Sequence, residues 1–132
     1  MKKIILDTNF LLAGFQFKLD VIEKMRQALS FGYELFVLDK AKEEIGWIQK
    51  KQKSKHREAA KWALKIIEKN KLTELPTREN VLVDDLLVEY AKKGYIVATQ
   101  DMELKRTLRK EHCTILTIRQ KKYVMIENEK IV

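Results

Sequence analysis

Residues 3–9 read KIILDTN, a short apolar run that ends in three polar residues. A run of this length, apolar on both faces, is typical of a strand buried inside a parallel sheet. A second run of the same kind, residues 95–101, reads YIVATQD. Stretches with apolar residues at helical spacing lie between such runs. This alternation predicts an α/β fold, a three-layer α/β/α sandwich around a mainly parallel central sheet.

The remaining elements follow from the spacing of apolar residues. Helices are predicted over residues 19–31, 40–51, 55–70, 81–93 and 101–110, and further strands over 35–38, 114–118 and 123–126. Residues 50–55 read KKQKSK, which predicts a polar hinge or an exposed helical turn. A chain of 132 residues is the size of one ordinary domain, so a single domain over residues 1–132 is expected.

The charge balance favours an anionic partner. Lys and Arg total 27 against 19 Asp and Glu, a formal net charge of +8. A field of this sign attracts polyanions, most often nucleic acid, with an acidic protein or a membrane surface as alternatives. No apolar run approaches the roughly 20 residues that span a bilayer, so a cytoplasmic protein without a membrane partner is expected. The single cysteine, Cys113, excludes an internal disulfide and a thiolate zinc cluster.

Acidic residues stand at places that a parallel sheet would bring together. Asp7 directly follows the first strand, and Asp101 lies three residues past Ala98 at the end of another. Ligands of such sheets bind outside the carboxyl ends of the strands. The pair Asp84-Asp85 opens a predicted helix, and Glu44 lies in the helix after strand 35–38. Four acidic positions from separate segments can therefore converge on one place.

Glu44 is preferred over its neighbour Glu43 because it lies on the face of Ala41, Ile45 and Ile48. Taken singly, each acid has an ordinary explanation as a turn residue, a helix cap or a solvated side chain. Together they would repel, by roughly 4 kcal/mol for two charges about 4 Å apart at an effective dielectric constant of about 20. Such a cluster takes up protons or binds a cation, and all-oxygen ligands suit Mg²⁺ or Mn²⁺. An acidic, metal-loaded notch on a basic protein indicates phosphodiester hydrolysis.

The motifs ILDTN (5–9) and VATQD (97–101), with Glu44 and the Asp84-Asp85 pair between them, resemble in order and spacing the acidic motifs of PIN-domain nucleases over essentially the whole chain. The resemblance implies a PIN-like fold and metal-dependent endonucleolytic cleavage of RNA. It implies metal ligands at Asp7, Glu44, Asp85 and Asp101. Asp84 is then expected to cap its helix or to support the ligands. Further support is implied for Thr8, Asn9, Thr99 and Glu103, the last standing where related sequences often carry a second Asp.

Within that family the motifs look most like the branch that processes pre-ribosomal RNA, and next most like the toxins of toxin–antitoxin pairs. The implied partners are a ribosomal RNA precursor, ribosome-assembly proteins or an antitoxin. A homodimer through Trp47, Ile48 and Trp62 is a family-level expectation. Two alternatives remain open, a non-catalytic module for RNA binding or ribosome assembly and a structure-specific DNA nuclease.

Basic residues near Asp101 are the favoured RNA contacts because they begin one helical turn from the expected metal. These residues are Lys105, Arg106, Arg109 and Lys110. A second basic group, within residues 50–61, is interpreted as a solvated charge run or a secondary contact.

Overall fold

The computed structural model describes residues 1–51 and 53–128. Its strands are β1 (Lys2–Leu6), β2 (Tyr33–Leu38), β3 (Thr73–Leu75), β4 (Ile96–Ala98), β5 (Ile115–Arg119) and β6 (Tyr123–Glu127). Its helices are α1 (Thr8–Gln16), α2 (Val21–Ala28), α3 (Asp39–Lys51), α4 (Ser54–Lys69), α5 (Val83–Lys92) and α6 (Met102–Lys110). Gln52 of the predicted hinge and residues 129–132 of the predicted domain lie outside the described residues.

The strands form one sheet in the order β3-β2-β1-β4-β5-β6. Neighbouring strands from β3 to β5 are parallel, and β6 pairs antiparallel with β5. Strand β1 pairs with β2 on one side and with β4 on the other, which makes the ends of β1 and β4 direct neighbours. With the helices around this sheet, the predicted mainly parallel α/β/α fold is confirmed.

The centre of the sheet is fully buried, as the apolar runs predict. Ile4, Ile5 and Leu6 of β1 and Val97 and Ala98 of β4 are all 0% exposed. Polar residues follow these strands because the chain reaches the edge of the sheet there, where side chains no longer meet helices on both faces. The buried strands therefore fix the place where Asp7 and Asp101 emerge.

Three elements differ from the sequence prediction. Residues 8–16 form α1, which buries Phe10, Leu11, Ala13 and Gly14. A helix with so few polar positions shows little amphipathic periodicity, which is why none was predicted there. The helix expected over 19–31 is confined to α2. Strand β3 was also missed, because it has only three residues and two of them are exposed.

None of the helices in the described part of the chain combines the length and apolar character needed to cross a membrane.

Candidate active site

Asp7 lies at the junction of β1 and α1. Its N–H donates to the Ala98 carbonyl at 2.9 Å, which continues the pairing of β1 with β4. Its side chain is the N-cap of α1, with Oδ1 accepting from the Thr8 N–H at 2.9 Å. The residue is only 8% exposed. Thr8, one of the residues expected to support Asp7, therefore contacts its side chain through the backbone N–H.

Thr99 holds the second oxygen of this carboxylate. Its fully buried hydroxyl lies 2.8 Å from Asp7 Oδ2 and accepts from the Asp101 N–H at 3.1 Å. The side chain of Asn9 completes the arrangement, because its Oδ1 accepts from the Gln100 N–H at 2.9 Å. The segments that leave β1 and β4 are thus bound to each other through polar side chains.

Burial and neighbouring charges change the acidity of Asp7. Burial is the main cause that raises its pKa, to about 6, and the negative charges of Asp84 and Asp101 raise it further. The hydrogen bonds from Thr99 and Thr8 act in the opposite direction. A buried carboxylate near other acids is stabilised by a proton or a cation. Asp7 therefore has the electrostatic character expected of a cation ligand.

Asp101 is the N-cap of α6, which is one of the ordinary roles that its position in the sequence suggested. Its Oδ1 accepts from the Glu103 N–H at 2.9 Å and from the Leu104 N–H at 3.0 Å. Capping by one oxygen fixes the carboxylate at the edge of the sheet while its charge still reaches Asp7. Glu103 is exposed, and its charge contributes to the raised pKa of Asp84.

Asp84 is electrostatically close to the acids at the strand ends. The pKa of Asp84 is raised by partial burial and then by the charges of Asp101 and Asp85. Asp84 is also the residue of the pair that raises the pKa of Asp7. The expectation that Asp84 caps its helix is wrong, because the N-cap of α5 is Leu82 and both acids lie in the first turn.

Glu44 is exposed on α3, although Ala41 and Ile45 of the same helix are buried. The expected inward position fails because a helix turns by about 100° per residue, which puts Glu44 roughly 60° from the line of Ala41. At that angle a long side chain reaches solvent. Of the four acids expected to converge, the structure brings Asp7 and Asp101 to one edge of the sheet, whereas Glu44 and Asp85 are exposed on helices. Asp84 is exposed as well, but its charge acts on Asp7.

A divalent ion fits this site by the chemistry of its donors. Carboxylate oxygens are the ligands that Mg²⁺ and Mn²⁺ prefer, and Asp7 is the buried acid that an ion would stabilise. Within residues 1–51 and 53–128, no three acidic, His or Cys side chains already stand close enough together to hold an ion.

The predicted RNA contacts divide into two groups. Lys105 is only 6% exposed and its ammonium donates to the Thr117 hydroxyl, so its prediction as a surface contact is wrong. Its aliphatic chain packs inward beside Leu104 and Leu108, the apolar side of α6. Arg109 is bound to Glu127 through Nε at 3.1 Å and Nη2 at 2.9 Å. Arg106 and Lys110 are exposed.

Gln100 is a positioning residue that the sequence analysis did not single out. Its Oε1 accepts from the Ile118 N–H at 2.7 Å, and its Nε2 donates to the Ile118 carbonyl at 3.2 Å. The Thr117 hydroxyl donates to the same Oε1 at 3.0 Å. The signal in the sequence is an amide directly after a strand and a buried threonine, but its partner on β5 is visible only in the structure.

The expected homodimer patch of Trp47, Ile48 and Trp62 stays a prediction, and the structure shows the surroundings of its three residues. Ile48 and Trp62 line a groove beside α4, whereas Trp47 is 55% exposed and is not part of that lining.

Comparison with known proteins gives one family and two curated relatives. Residues 4–121 match the sequence model of the family described as a PIN like domain. The chain is 35% identical over 130 residues to ribonuclease VapC4 of Methanocaldococcus jannaschii, covering 96% of this chain and 97% of that protein. It is 30% identical over 125 residues to ribonuclease VapC9 of Archaeoglobus fulgidus, covering 93% and 87%.

The fold is also found in a solved structure, that of the PIN domain endonuclease Utp24. The two share a TM-score of 0.75 and 25% sequence identity, over 98% of this chain and 94% of that one.

Proposed function

Because this chain belongs to the PIN-like domain family, we propose that it is a ribonuclease that cleaves RNA internally with the help of Mg²⁺ or Mn²⁺. The observation that carries the proposal is the buried Asp7 carboxylate, held by Thr99 and close enough to Asp84 and Asp101 for their charges to raise its pKa. Negative charges held close together lower the stability of the fold. The same charges raise the affinity of the site for a cation, which would explain why they are kept together.

The proposed ligands are Asp7 and Asp101 at the strand ends, with Asp84 in the position first expected for Asp85. Glu44 remains the proposed fourth ligand, and Glu103 a supporting acid. A divalent ion bound there would supply an activated water and stabilise the charge that develops on the phosphate.

The protein's own residues orient this site. Thr99 and the Thr8 N–H fix both oxygens of Asp7, so the carboxylate presents one geometry. Asn9 binds the Gln100 N–H and thereby holds the β4–α6 segment against α1. Below about pH 6 a proton on Asp7 would compete with the cation, so activity should fall with acidification. Exposed Arg106 and Lys110 would guide the RNA backbone.

The test is incubation of the pure protein with labelled structured RNA, and with DNA of matched sequence, in Mn²⁺, Mg²⁺ or EDTA. We expect RNA cleavage that needs the metal and that Asp7→Asn reduces by about a thousandfold or more, because metal assistance contributes several kcal/mol. Unfolding curves would verify that the variant is folded. Full activity in folded Asp7→Asn would overturn the mechanism. Metal-independent binding without cleavage would instead favour the non-catalytic RNA-binding or ribosome-assembly module.

Two biological roles are proposed for this activity. The motifs favour a ribosomal RNA precursor as the substrate. The identity with two archaeal VapC ribonucleases over most of their length favours a toxin ribonuclease controlled by an antitoxin. Induced expression in a host cell separates the roles, since growth arrest that depends on Asp7 and is relieved by a co-expressed partner supports the toxin. Accumulation of an uncut ribosomal RNA precursor when the gene is deleted supports the processing enzyme.

A further inference from the structure

A large groove borders the candidate active site around Asp7. It has a volume of about 1190 Å³ and is lined by α1, the turn between α1 and α2, α4 and Ile48 of α3; we refer to it as the basic groove. Small-molecule sites usually enclose about 300–1,000 Å³. The basic groove is larger than that, which suits a segment of a polymer.

The charge of the basic groove suits a polyanion. Its lining contains Lys18, Lys55, Lys65 and Lys69, all exposed, and one carboxylate, Asp20. Asp20 already accepts from the Glu23 N–H at 3.1 Å as the N-cap of α2.

A second groove of about 710 Å³ has the opposite composition, although it lies on the same basic protein. We refer to it as the acidic groove. Its lining holds more carboxylates than cations, and Lys42 there is paired with Glu74. The positive charge of the basic groove is therefore a local property and not only a reflection of the net charge.

The wall of the basic groove contains aromatic rings. Trp62 and Phe15 lie with their centroids 6.0 Å apart at an angle of 53°. Trp62 also packs closely over Gly14, where an added Cβ would lie 2.9 Å from the indole, so its position is tightly defined. Aromatic faces beside cations bind single-stranded nucleic acid, because bases stack on the rings while phosphates meet the cations.

The basic groove is connected to the candidate active site around Asp7 through Asn9. This residue lines the groove, and its Oδ1 accepts from the Gln100 N–H next to Thr99, which holds Asp7. A strand lying in the groove would reach the carboxylates at that end.

We propose that the basic groove binds single-stranded RNA on one side of the cleaved phosphodiester. This inference rests on the proposed ribonuclease function and names the path of its substrate. It moves the main RNA contact away from α6, where Lys105 is buried and Arg109 is paired with Glu127, to α4 and the turn after α1. An acidic protein segment would fit the same charges, but it would not need the continuity with Asp7.

The test measures binding apart from cleavage. Every protein carries Asp7→Asn, and binding of a short fluorescein-labelled RNA of mixed sequence is followed by fluorescence anisotropy at several salt concentrations. The variants are Lys65→Glu and Lys69→Glu, made singly and together. The matched control for each single variant is Lys61→Glu, an exposed lysine of the same helix outside the groove lining. Urea unfolding verifies that each variant is folded.

We expect the double variant to lose about tenfold or more in affinity, with a log–log salt slope shallower by about 1.4, because each phosphate contact on a single strand contributes about 0.7. Lys61→Glu should stay within about twofold of the parent, since an exposed charge away from the strand is screened. A loss in Lys61→Glu equal to that in each single groove variant would overturn the proposal in favour of a general charge effect. No loss in any of these variants would overturn it in favour of a protein occupant.

A second readout places the RNA directly. With Trp47→Phe, Trp62 is the one tryptophan left of the two in the sequence, so its fluorescence reports on the basic groove. Quenching that saturates with the anisotropy signal supports the proposal, and unchanged fluorescence at saturating RNA contradicts it. Failure of the ribonuclease proposal would look different, since the wild-type protein would then cleave no RNA even if Trp62 were quenched.

Discussion

The acidic side chains that follow β1 and β4 are held differently from those carried by α3 and α5. Asp7 and Asp101 each accept backbone hydrogen bonds, and Asp7 is buried. The side chains of Glu44, Asp84 and Asp85 are exposed and make no hydrogen bond or ion pair with another described residue. One half of the candidate site is therefore preformed by the sheet. The other half depends on helix positions and on whatever binds between them.

The largest expected effect concerns the folding stability that the protein loses when the buried Asp7 carboxylate is ionised. Because the pKa of Asp7 is raised from 3.8 to about 6, the metal-free protein should lose stability as pH rises through this interval. Asp7→Asn removes that loss, so its advantage over wild type should grow from near zero below pH 4 to on the order of 3 kcal/mol at pH 7. Urea unfolding in EDTA at a series of pH values measures this. A constant difference between the two proteins would contradict the raised pKa.

The next effect compares neighbouring acids on α5. Asp84→Asn should slow RNA cleavage by about thirtyfold, as loss of a metal-site carboxylate or its support commonly does, whereas Asp85→Asn should change it by about twofold or less. The measurement is the initial cleavage rate at a fixed Mn²⁺ concentration. A larger loss in Asp85→Asn would restore the assignment expected from sequence and contradict the proposed assignment of Asp84.

The smallest effect tests the lysine that proved to be buried. Lys105→Ala should lower the free energy of unfolding by about 1.5 kcal/mol, since it removes a packed aliphatic stem and a hydrogen bond to Thr117. The exposed Lys110→Ala is the matched control and should change it by less than about 0.5 kcal/mol. The salt slope of RNA binding should be unchanged in Lys105→Ala, and a shallower slope would mean that this ammonium does reach a phosphate.

The contrast between strand ends and helices also explains what could be predicted from sequence. A buried strand has a fixed direction and neighbour, so Asp7, Thr99 and Asp101 could be assigned to one edge from their positions alone. On a helix, adjacent residues differ by about 100°, and the sequence does not say how the helix is rotated over the sheet. The choices between Asp84 and Asp85 and between Glu43 and Glu44 depended on that rotation.

Lys105 was misassigned for a different physical reason. A charge was interpreted as a mark of exposure, but a lysine can bury its aliphatic stem among Leu104 and Leu108 while its ammonium finds a hydroxyl on the next strand. Helix α1 was missed because most of its surface is apolar. Both errors come from tertiary packing, which local patterns do not record.

Gln100 has a consequence for the architecture of the sheet. Strand β4 is only three residues long, and its register pairs Val97 with Ile115 and Ala98 with Leu116, which places residue 100 opposite Ile118. At that point the side-chain amide of Gln100 replaces a main-chain peptide group, accepting from the Ile118 N–H and donating to its carbonyl. The ladder thus continues through a side chain after the strand has ended. The main chain is left free to turn toward α6 and to carry Asp101 to the carboxylates, while the loop stays registered to β5. Glutamate would lack the N–H donor that binds the Ile118 carbonyl, and the side chain of asparagine would be too short to reach Ile118. The glutamine at position 100 therefore determines where the pairing with β5 ends.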